Sequence, residues 1–266
     1  MEPTAVPPAA GLLDETPSSP EPVAGPNPWR AAGWLLVFVL LNLVSVFLYV
    51  GGYGGYLGAQ LGAQGEVVDP VAIQAQVMEH MGTPSGMAGM YLAQIALILP
   101  VLLLVARFKT QTAGQTLGIR SFPQKLALPW VGLLVVFLAV QAVVVQVFDV
   151  EQGEFMHMLA GSKHLLLALV LVFAAPLLEE LVFRGYLFRA WRNTRLGFSG
   201  TLLLTSTLFT LLHWGQYNVI QLSFIFALAL LLGIAREKSG SVLLPMLLHL
   251  CNNLVAAVVV VYLGIL

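Results

Sequence analysis

The chain has 266 residues, of which 58% are hydrophobic and 9% are charged. A soluble domain has roughly 25% charged residues, so this composition excludes an ordinary water-soluble fold. The formal net charge of -1 at pH 7 gives no support for a nucleic-acid partner. The single cysteine, Cys251, excludes a disulfide within the chain and any metal site built from several cysteines.

The first 29 residues are rich in proline, alanine, glutamate and serine, and predict a disordered cytoplasmic tail. Residues 30–266 predict a single membrane domain, because they contain apolar runs that approach the ~20 residues of a spanning helix. The expected fold is therefore all-α, with about seven transmembrane helices. The predicted spans cover residues 31–50, 87–106, 126–148, 164–188, 200–215, 217–235 and 241–265.

The predicted fifth span is short, and it either forms a tight hairpin with the sixth or is partly re-entrant. We divide the membrane domain into N-terminal helices, residues 30–163, and a core, residues 164–266, that contains the last four spans.

The orientation follows from the basic residues, which mark the cytoplasmic ends of short loops. With seven spans and a cytoplasmic N-terminus, every basic residue except Lys163 falls at or near the inner face. The C-terminus is then expected on the opposite side. The inner-face residues are Arg30, Arg107, Lys109, Arg120, Lys125, Arg184, Arg189, Arg192, Arg195, Arg236 and Lys238.

Polar residues inside the apolar segments are concentrated in the core. An ionisable group inside a bilayer costs a few kcal/mol, so such groups usually serve a function and face protein or water. Counted along their helices, Glu179, His213 and His249 lie at comparable depths in the membrane. The set consists of Glu179, Glu180, His213, His249 and Asn253.

The two adjacent glutamates are expected to differ in environment. Consecutive helical residues diverge by about 100°, so Glu179 and Glu180 should point in different directions. Glu180 precedes Arg184 by four residues, the favourable order for an ion pair, which leaves Glu179 free to face a cavity. A carboxylate and two imidazoles that meet in a dry cavity can polarise water, so the pattern favours hydrolytic chemistry.

Three segments carry a resemblance to a known family. "EELVFR", "FTLLH" and "HLCNN" resemble the E-E-x-x-x-R, F-x-x-x-H and H-x-x-x-N motifs of the CAAX prenyl endopeptidase and bacteriocin-processing (CPBP, Abi-type) family of intramembrane proteases. Each motif is weak alone, but three in order on separate apolar helices form a specific signal. The resemblance covers residues 164–266.

The resemblance implies roles for individual residues. Glu179 would be the general base that activates water, and His213 would position that water. His249 and Asn253 would stabilise the tetrahedral oxyanion. Glu180 and Arg184 would have a supporting role and hold the helix, while Phe209 is expected to pack beside the site.

Metal dependence remains open at this point, because both metal-dependent and metal-free descriptions exist for such proteins. A carboxylate and two imidazoles, from Glu179, His213 and His249, could bind a divalent metal such as zinc. A zinc site built from these three would then lack a separate general base unless Glu180 turned inward. We therefore favour the metal-free alternative.

The predicted function is an intramembrane endopeptidase that acts in the lipid bilayer on a membrane-associated protein or peptide, near its membrane-associated end. Prenylated CAAX protein is the family's namesake substrate, and related bacterial proteins are thought to cut other peptides. Two alternatives are a non-proteolytic relative, such as a bacteriocin-immunity or scaffold protein, and a proton-coupled carrier that uses the same acids.

Overall fold

The computed structural model describes residues 25–107 and 111–266. Most of the predicted disordered tail, and Lys109 of the predicted inner face, lie outside the described residues. Pro28 and Trp29, which we predicted as tail, instead begin the first helix. The helix begins there because the side chain of Asn27 accepts hydrogen bonds from the backbone N–H groups of Trp29 and Arg30.

The described residues form ten helices and no strand. Six of these helices, α1, α3, α5, α7, α9 and α10, are long and apolar enough to cross a membrane. The protein is therefore an all-α, integral, multi-pass membrane protein. The helices are α1 (Pro28–Ala63), α2 (Pro70–Met81), α3 (Pro84–Val105), α4 (Ala113–Leu117), α5 (Gln124–Val147), α6 (Glu154–Leu159), α7 (Leu165–Arg192), α8 (Gly197–Leu211), α9 (Val219–Ser239) and α10 (Leu243–Tyr262).

The predicted count of seven spans is not confirmed. The fifth predicted span, residues 200–215, corresponds to α8, which has 15 residues and ends at Leu211. At 1.5 Å per residue such a helix is about 22 Å long, shorter than the ~30 Å hydrocarbon core. The side of the membrane that holds the C-terminus depends on this count, so its placement opposite the N-terminus stays a prediction.

The N-terminal region differs most from the sequence expectation. Helix α1 continues to Ala63, well beyond the predicted end at residue 50, and α2 was not predicted. Two glycines of this stretch lie against α2. A Cβ added at Gly54 would lie 3.5 Å from the Val77 side chain, and one at Gly58 would lie 3.5 Å from the Ile73 side chain. Both distances are ordinary van der Waals contacts, so α2 packs against the face of α1 that carries Gly54 and Gly58.

Helix α7 lies at the centre of the bundle. Every residue from Glu180 to Phe188 is buried, as expected for a helix surrounded by protein on all sides. Phe183 and Leu187 belong to a core cluster that also contains Phe38 of α1 and Leu102 of α3. Two π-helical segments, Val170–Ala174 and Leu181–Leu187, flank the turn that carries Glu179 and Glu180. Such wide turns inside α-helices occur frequently at functional sites.

Two left-handed glycines join the loop after α4 to the loop after α9. Gly118 and Gly240 cap these helices with φ values of 71° and 66°. The carbonyl of Gly118 accepts a hydrogen bond from the N–H of Val242 at 3.0 Å. Arg120 Nε donates to the carbonyl of Gly240 at 2.7 Å. We call this contact the glycine junction, and it ties the N-terminal helices to the core.

Candidate active site

Glu179, His213, His249 and Asn253 line one cavity of about 210 Å³. This core chamber lies among α5, α7, α9, α10 and the turn after α8. The structure therefore brings all four predicted catalytic residues to one cavity, although they come from distant positions in the chain.

A second cavity of about 240 Å³ adjoins the first. Helices α1 and α3 form its outer wall through mainly apolar side chains, so we call it the N-terminal chamber. Glu179, Phe209 and His213 line both chambers. The predicted base thus lies where the two chambers meet.

Glu180 is the hub of a buried polar cluster. Its side chain is 0% exposed, and Oε1 accepts hydrogen bonds at 2.9 Å from both Arg184 Nη1 and His249 Nδ1. Arg184 also donates from Nη2 to the carbonyl of Ala229 at 3.0 Å, and its guanidinium lies 4.6 Å from the centroid of the Phe209 ring. The pair with Arg184 is the one that the local spacing predicts. The bond to His249 was missed, because no local spacing relates α7 to α10.

Glu179 also reaches His249. Its Oε2 lies 3.7 Å from His249 Nε2, and its side chain is 27% exposed. The expectation that one glutamate is paired and buried while the other faces a cavity therefore matches the geometry. The two carboxylates diverge as expected, but they approach different edges of one imidazole, which the sequence did not predict. Because the imidazole has a nitrogen on each of two edges, carboxylates that diverge by one helical step can each reach one nitrogen.

His213 lies in the turn just after α8 and not inside a spanning helix as predicted. The last carbonyls of a helix have no intrahelical donor, and here the carbonyl of Phe209 meets His213 Nδ1 at 2.9 Å. A carbonyl can only accept, so Nδ1 carries the proton and donates it in this bond. In the neutral ring, Nε2 then presents a lone pair to the chambers.

Phe209 separates the two histidines. Its ring centroid lies 4.9 Å from that of His213 and 5.8 Å from that of His249, and the residue is 2% exposed. Phe209 also packs edge-on against Phe183 of α7. It therefore occupies the packing position beside the site that the sequence predicts.

Asn253 is anchored to a widened turn of α7. Its Nδ2 donates to the carbonyl of Leu171 at 2.8 Å, within the first π-helical segment. Its Oδ1 accepts from Asn252 Nδ2 at 3.1 Å. An amide nitrogen has two N–H groups, so one donor remains after the bond to Leu171.

The predicted alternative metal ligands do not form a compact ligand set. Among residues 25–107 and 111–266, no three His, Cys, Asp or Glu side chains are grouped so that they could hold a metal ion. Glu179, His213 and His249 share the core chamber but are not such a group. The preference for a metal-free site stays a prediction.

Tyr217 is a chamber residue that the sequence did not single out. It lines the core chamber between α8 and α9, near Tyr91 and Glu179. Burial raises the pKa of Tyr217, and the neighbouring Tyr91 and Glu179 raise that pKa further. Tyr217 therefore stays protonated and can donate a hydrogen bond into the chamber. Nothing in the local sequence separates it from the rest of the 7 tyrosines in the chain.

The fold and the chamber define a helical membrane protein with a carboxylate–histidine site inside its bundle. Residues 161–255 match the family model described as type II CAAX prenyl endopeptidase Rce1-like. The resemblance predicted from the three motifs is thereby confirmed for this segment, which contains the four predicted catalytic residues.

One curated relative shares a large part of the chain. A protein of Escherichia coli, described as an uncharacterized 24.3 kDa protein, is 32% identical over 136 residues. The match covers 48% of this chain and 61% of the length of that relative. No solved structure shows a significant match.

Proposed function

We propose that the protein is an intramembrane endopeptidase in which Glu179 activates water for attack on a peptide bond. The observation that carries the proposal is the position of Glu179, which shares a chamber with His213, His249 and Asn253. The Rce1-like match of residues 161–255 supports a CAAX-type protease at the level of the family.

In the proposed first step, a water molecule lies between the Glu179 carboxylate and His213 Nε2. His213 accepts a hydrogen bond from the water, because its own Nδ1–H is committed to the carbonyl of Phe209. Glu179 takes a proton as the water oxygen bonds to the carbonyl carbon of the substrate. This attack produces a tetrahedral intermediate with one negative oxygen.

Hydrogen-bond donors around the chamber then stabilise that oxygen. The second N–H of Asn253 and the hydroxyl of Tyr217 are available for this role, and His249 donates from Nε2 when that atom carries a proton. The carbon–nitrogen bond breaks, and the carboxyl group of Glu179 returns its proton to the departing amine. The products are a carboxylic acid and an amine, and Glu179 is a carboxylate again.

Glu180 and Arg184 position His249 and touch no substrate in this proposal. The side chains of Glu180 and Arg184 are almost fully buried. Because Glu180 bonds to Nδ1 of His249, Nε2 is the ring atom of His249 that faces Glu179. An orienting carboxylate behind a histidine is a common device in catalytic sites. Arg184 balances the charge of Glu180 in a region where an isolated carboxylate would be costly.

We further propose that the reaction needs no metal. The proposed base and donors are protein groups, and the step balances in protons without another reagent. Chelation with EDTA, followed by metal analysis of the purified protein, tests this part. Retained cleavage in protein that contains less than one equivalent of metal is expected, whereas activity restored only by zinc would overturn it.

The proposed substrate is a membrane-associated protein or peptide, cut near the end that lies in or on the membrane. We place the N-terminus on the cytoplasmic side, following the distribution of basic residues, and the chamber entrance in the cytoplasmic half or sideways between helices. Cysteine labelling from each side of sealed vesicles tests the access route. Labelling of the chambers only from the opposite side would contradict it.

The central experiment measures cleavage of fluorogenic peptides that carry an apolar anchor, using purified protein in proteoliposomes. Cleavage that requires Glu179 is the expected result. If no peptide is cut but protons cross the vesicle membrane in a Glu179-dependent manner, the carrier alternative replaces the enzyme. If neither activity is found, a non-proteolytic binding role replaces it.

A further inference from the structure

We propose that Arg120, Arg189 and Arg236 form a binding site for a phosphate group at the level of the lipid headgroups. We call these three side chains the arginine patch. The patch lies at the glycine junction, and its three residues line neither chamber. The proposal therefore does not depend on the proposed function.

Backbone carbonyls hold two guanidinium groups of the patch by one edge. Arg120 Nε donates to the carbonyl of Gly240 at 2.7 Å, and Arg236 Nε donates to the carbonyl of Arg184 at 2.9 Å. The Nη1 and Nη2 groups of Arg120 and Arg236 make no hydrogen bond to any residue that the structure describes. Two anchored guanidinium groups thus keep their paired N–H donors for a ligand.

The two glycines of the junction make room for these guanidinium groups. A Cβ added at Gly118 would lie 2.6 Å from Arg236 Nη2, and one added at Gly240 would lie 2.5 Å from Arg120 Nη2. So close an approach of a side chain to the backbone requires glycine. The donors of Arg120 and Arg236 therefore lie directly against the backbone of the junction.

Like charges meet in the patch. Arg120 and Arg189 both repel Arg236, and Arg120 also repels Arg189. Arg236 is only 9% exposed, and within the described part of the chain no carboxylate lies within 4.0 Å of Arg120 or Arg236. Glu237 attracts Arg236 from farther away, but Arg192 already binds its carboxylate at 2.6 Å. A buried cation beside like charges is unfavourable, and a bound anion would offset that cost.

The depth of the patch agrees with a lipid phosphate as the anion. Arg189 and Arg236 each lie three residues before the end of a helix long enough to span the membrane, α7 and α9. At 1.5 Å per residue, both lie within about 5 Å of the helix ends. Lipid phosphates lie in the polar layer just outside the hydrocarbon core. The basic residues predict that this side is cytoplasmic, where anionic lipids attract arginine.

The chemistry of the patch favours a phosphate whose charge is not balanced within its own headgroup. Arginine binds phosphate through two parallel N–H···O bonds, and one phosphate has enough oxygens to contact both Arg120 and Arg236. Phosphatidylglycerol should therefore bind better than phosphatidylcholine, because the patch repels the choline cation. Inorganic phosphate offers the same oxygens without the acyl chains.

The test measures thermal melting of the purified full-length protein in detergent, with phosphatidylglycerol, phosphatidylcholine or inorganic phosphate added. At saturation phosphatidylglycerol should raise the melting temperature by about 5 °C, because a ligand of the folded state alone stabilises it. Phosphatidylcholine should have little effect. A rise with phosphatidylglycerol alone would identify a lipid headgroup, and an equal rise with inorganic phosphate would identify free phosphate; both support the site. No rise with either would overturn the proposal.

Substitutions separate ligand binding from architecture. Arg120→Gln and Arg236→Gln should each weaken the affinity for phosphatidylglycerol by about tenfold or more, because charge-assisted hydrogen bonds are lost. Arg195→Gln is the matched control, since it removes the same charge from an exposed arginine outside the patch. The readout is the rise in melting temperature on adding lipid, so a lower melting temperature without lipid does not obscure the result.

The exposed position of Arg120 keeps the test valid if the Arg236 variant does not fold. An undiminished rise in Arg120→Gln would overturn the site. An equal loss of the rise in Arg195→Gln would also overturn it, because the attraction would then be a general property of the basic surface.

Discussion

Glu180 and His249, 69 residues apart in the chain, are joined by a buried hydrogen bond of 2.9 Å between Oε1 and Nδ1. The same oxygen of Glu180 accepts from Arg184. One carboxylate therefore couples α7 to α10 and sets the direction of the imidazole that faces Glu179. Because the coupling is buried, it should be costly to disturb and sensitive to charge.

Glu180→Gln should therefore destabilise the protein and reduce cleavage together. The change leaves Arg184 buried with no anionic partner, and breaking a buried pair typically costs about 3–5 kcal/mol. Glu237→Gln is the control, because the Arg192–Glu237 pair has side chains that are 36% and 28% exposed. The control should change the free energy of unfolding by less than about 1 kcal/mol. Thermal melting in detergent measures both, and equal melting of the two variants would contradict the hub role of Glu180.

Glu179→Gln should separate catalysis from folding. The amide keeps the size of the side chain but cannot take a proton, so cleavage should fall by about 10² to 10⁴, the range of general-base catalysis. The melting temperature should stay close to that of the parent, because the Glu179 side chain is 27% exposed and makes no short ion pair. Initial rates with an anchored peptide, set beside a melting curve, give the answer. A variant that cleaves like the parent would place the base elsewhere.

Tyr217 should make the free energy of unfolding depend on pH in the alkaline range. Its pKa is raised above the ordinary value of 10.0, so below about pH 10 both the folded and the unfolded states keep the proton. Above that pH the unfolded chain ionises first, and the free energy of unfolding falls by up to about 1.4 kcal/mol per pH unit. Tyr217→Phe should reduce this alkaline loss. Melting curves of the parent and the variant between about pH 8 and 11 test it, and identical pH dependence would refute the assignment.

Gly118→Ala should weaken the glycine junction. Gly118 has a φ of +71°, and an added Cβ would lie 2.6 Å from Arg236 Nη2. Backbone strain alone should cost about 1–2 kcal/mol, and displacement of Arg236 adds to it. The control is Gly132→Ala in α5, where an added Cβ meets nothing within 4 Å. That change should be neutral or stabilise by about 0.5–1 kcal/mol, the gain from alanine in a helix. Similar melting of both variants would mean that the junction does not limit stability.

Local spacing predicted the parts of the site that lie on one helix. The Glu180–Arg184 pair follows from positions four apart, and the order of the three motifs pointed to the segment that the family model matches. The His249–Glu180 bond could not be predicted in this way, because it joins two helices whose relative rotation depends on packing. The same holds for Tyr217, whose position depends on where α8 ends.

The boundaries of the helices were harder to predict where small residues pack closely. The glycines at the end of α1 disfavour a helix by local propensity, but the helix continues through them to Ala63, and Gly54 and Gly58 lie against α2. In the other direction, the apolar run after Leu211 suggested a longer helix, but the chain turns there and places His213 in the turn. In both places tertiary packing overrides a pattern that is visible in the sequence.

The matched segment, residues 161–255, contains the proposed base, both histidines and Asn253. The walls that complete the two chambers come from α1, α3 and α5, which lie outside that segment. In the proposed mechanism, bond cleavage therefore depends on residues 161–255, whereas part of the wall that a substrate would contact comes from the earlier helices. If the proposed function holds, a change in the early helices would alter the space around a bound peptide without changing any of the four proposed catalytic residues.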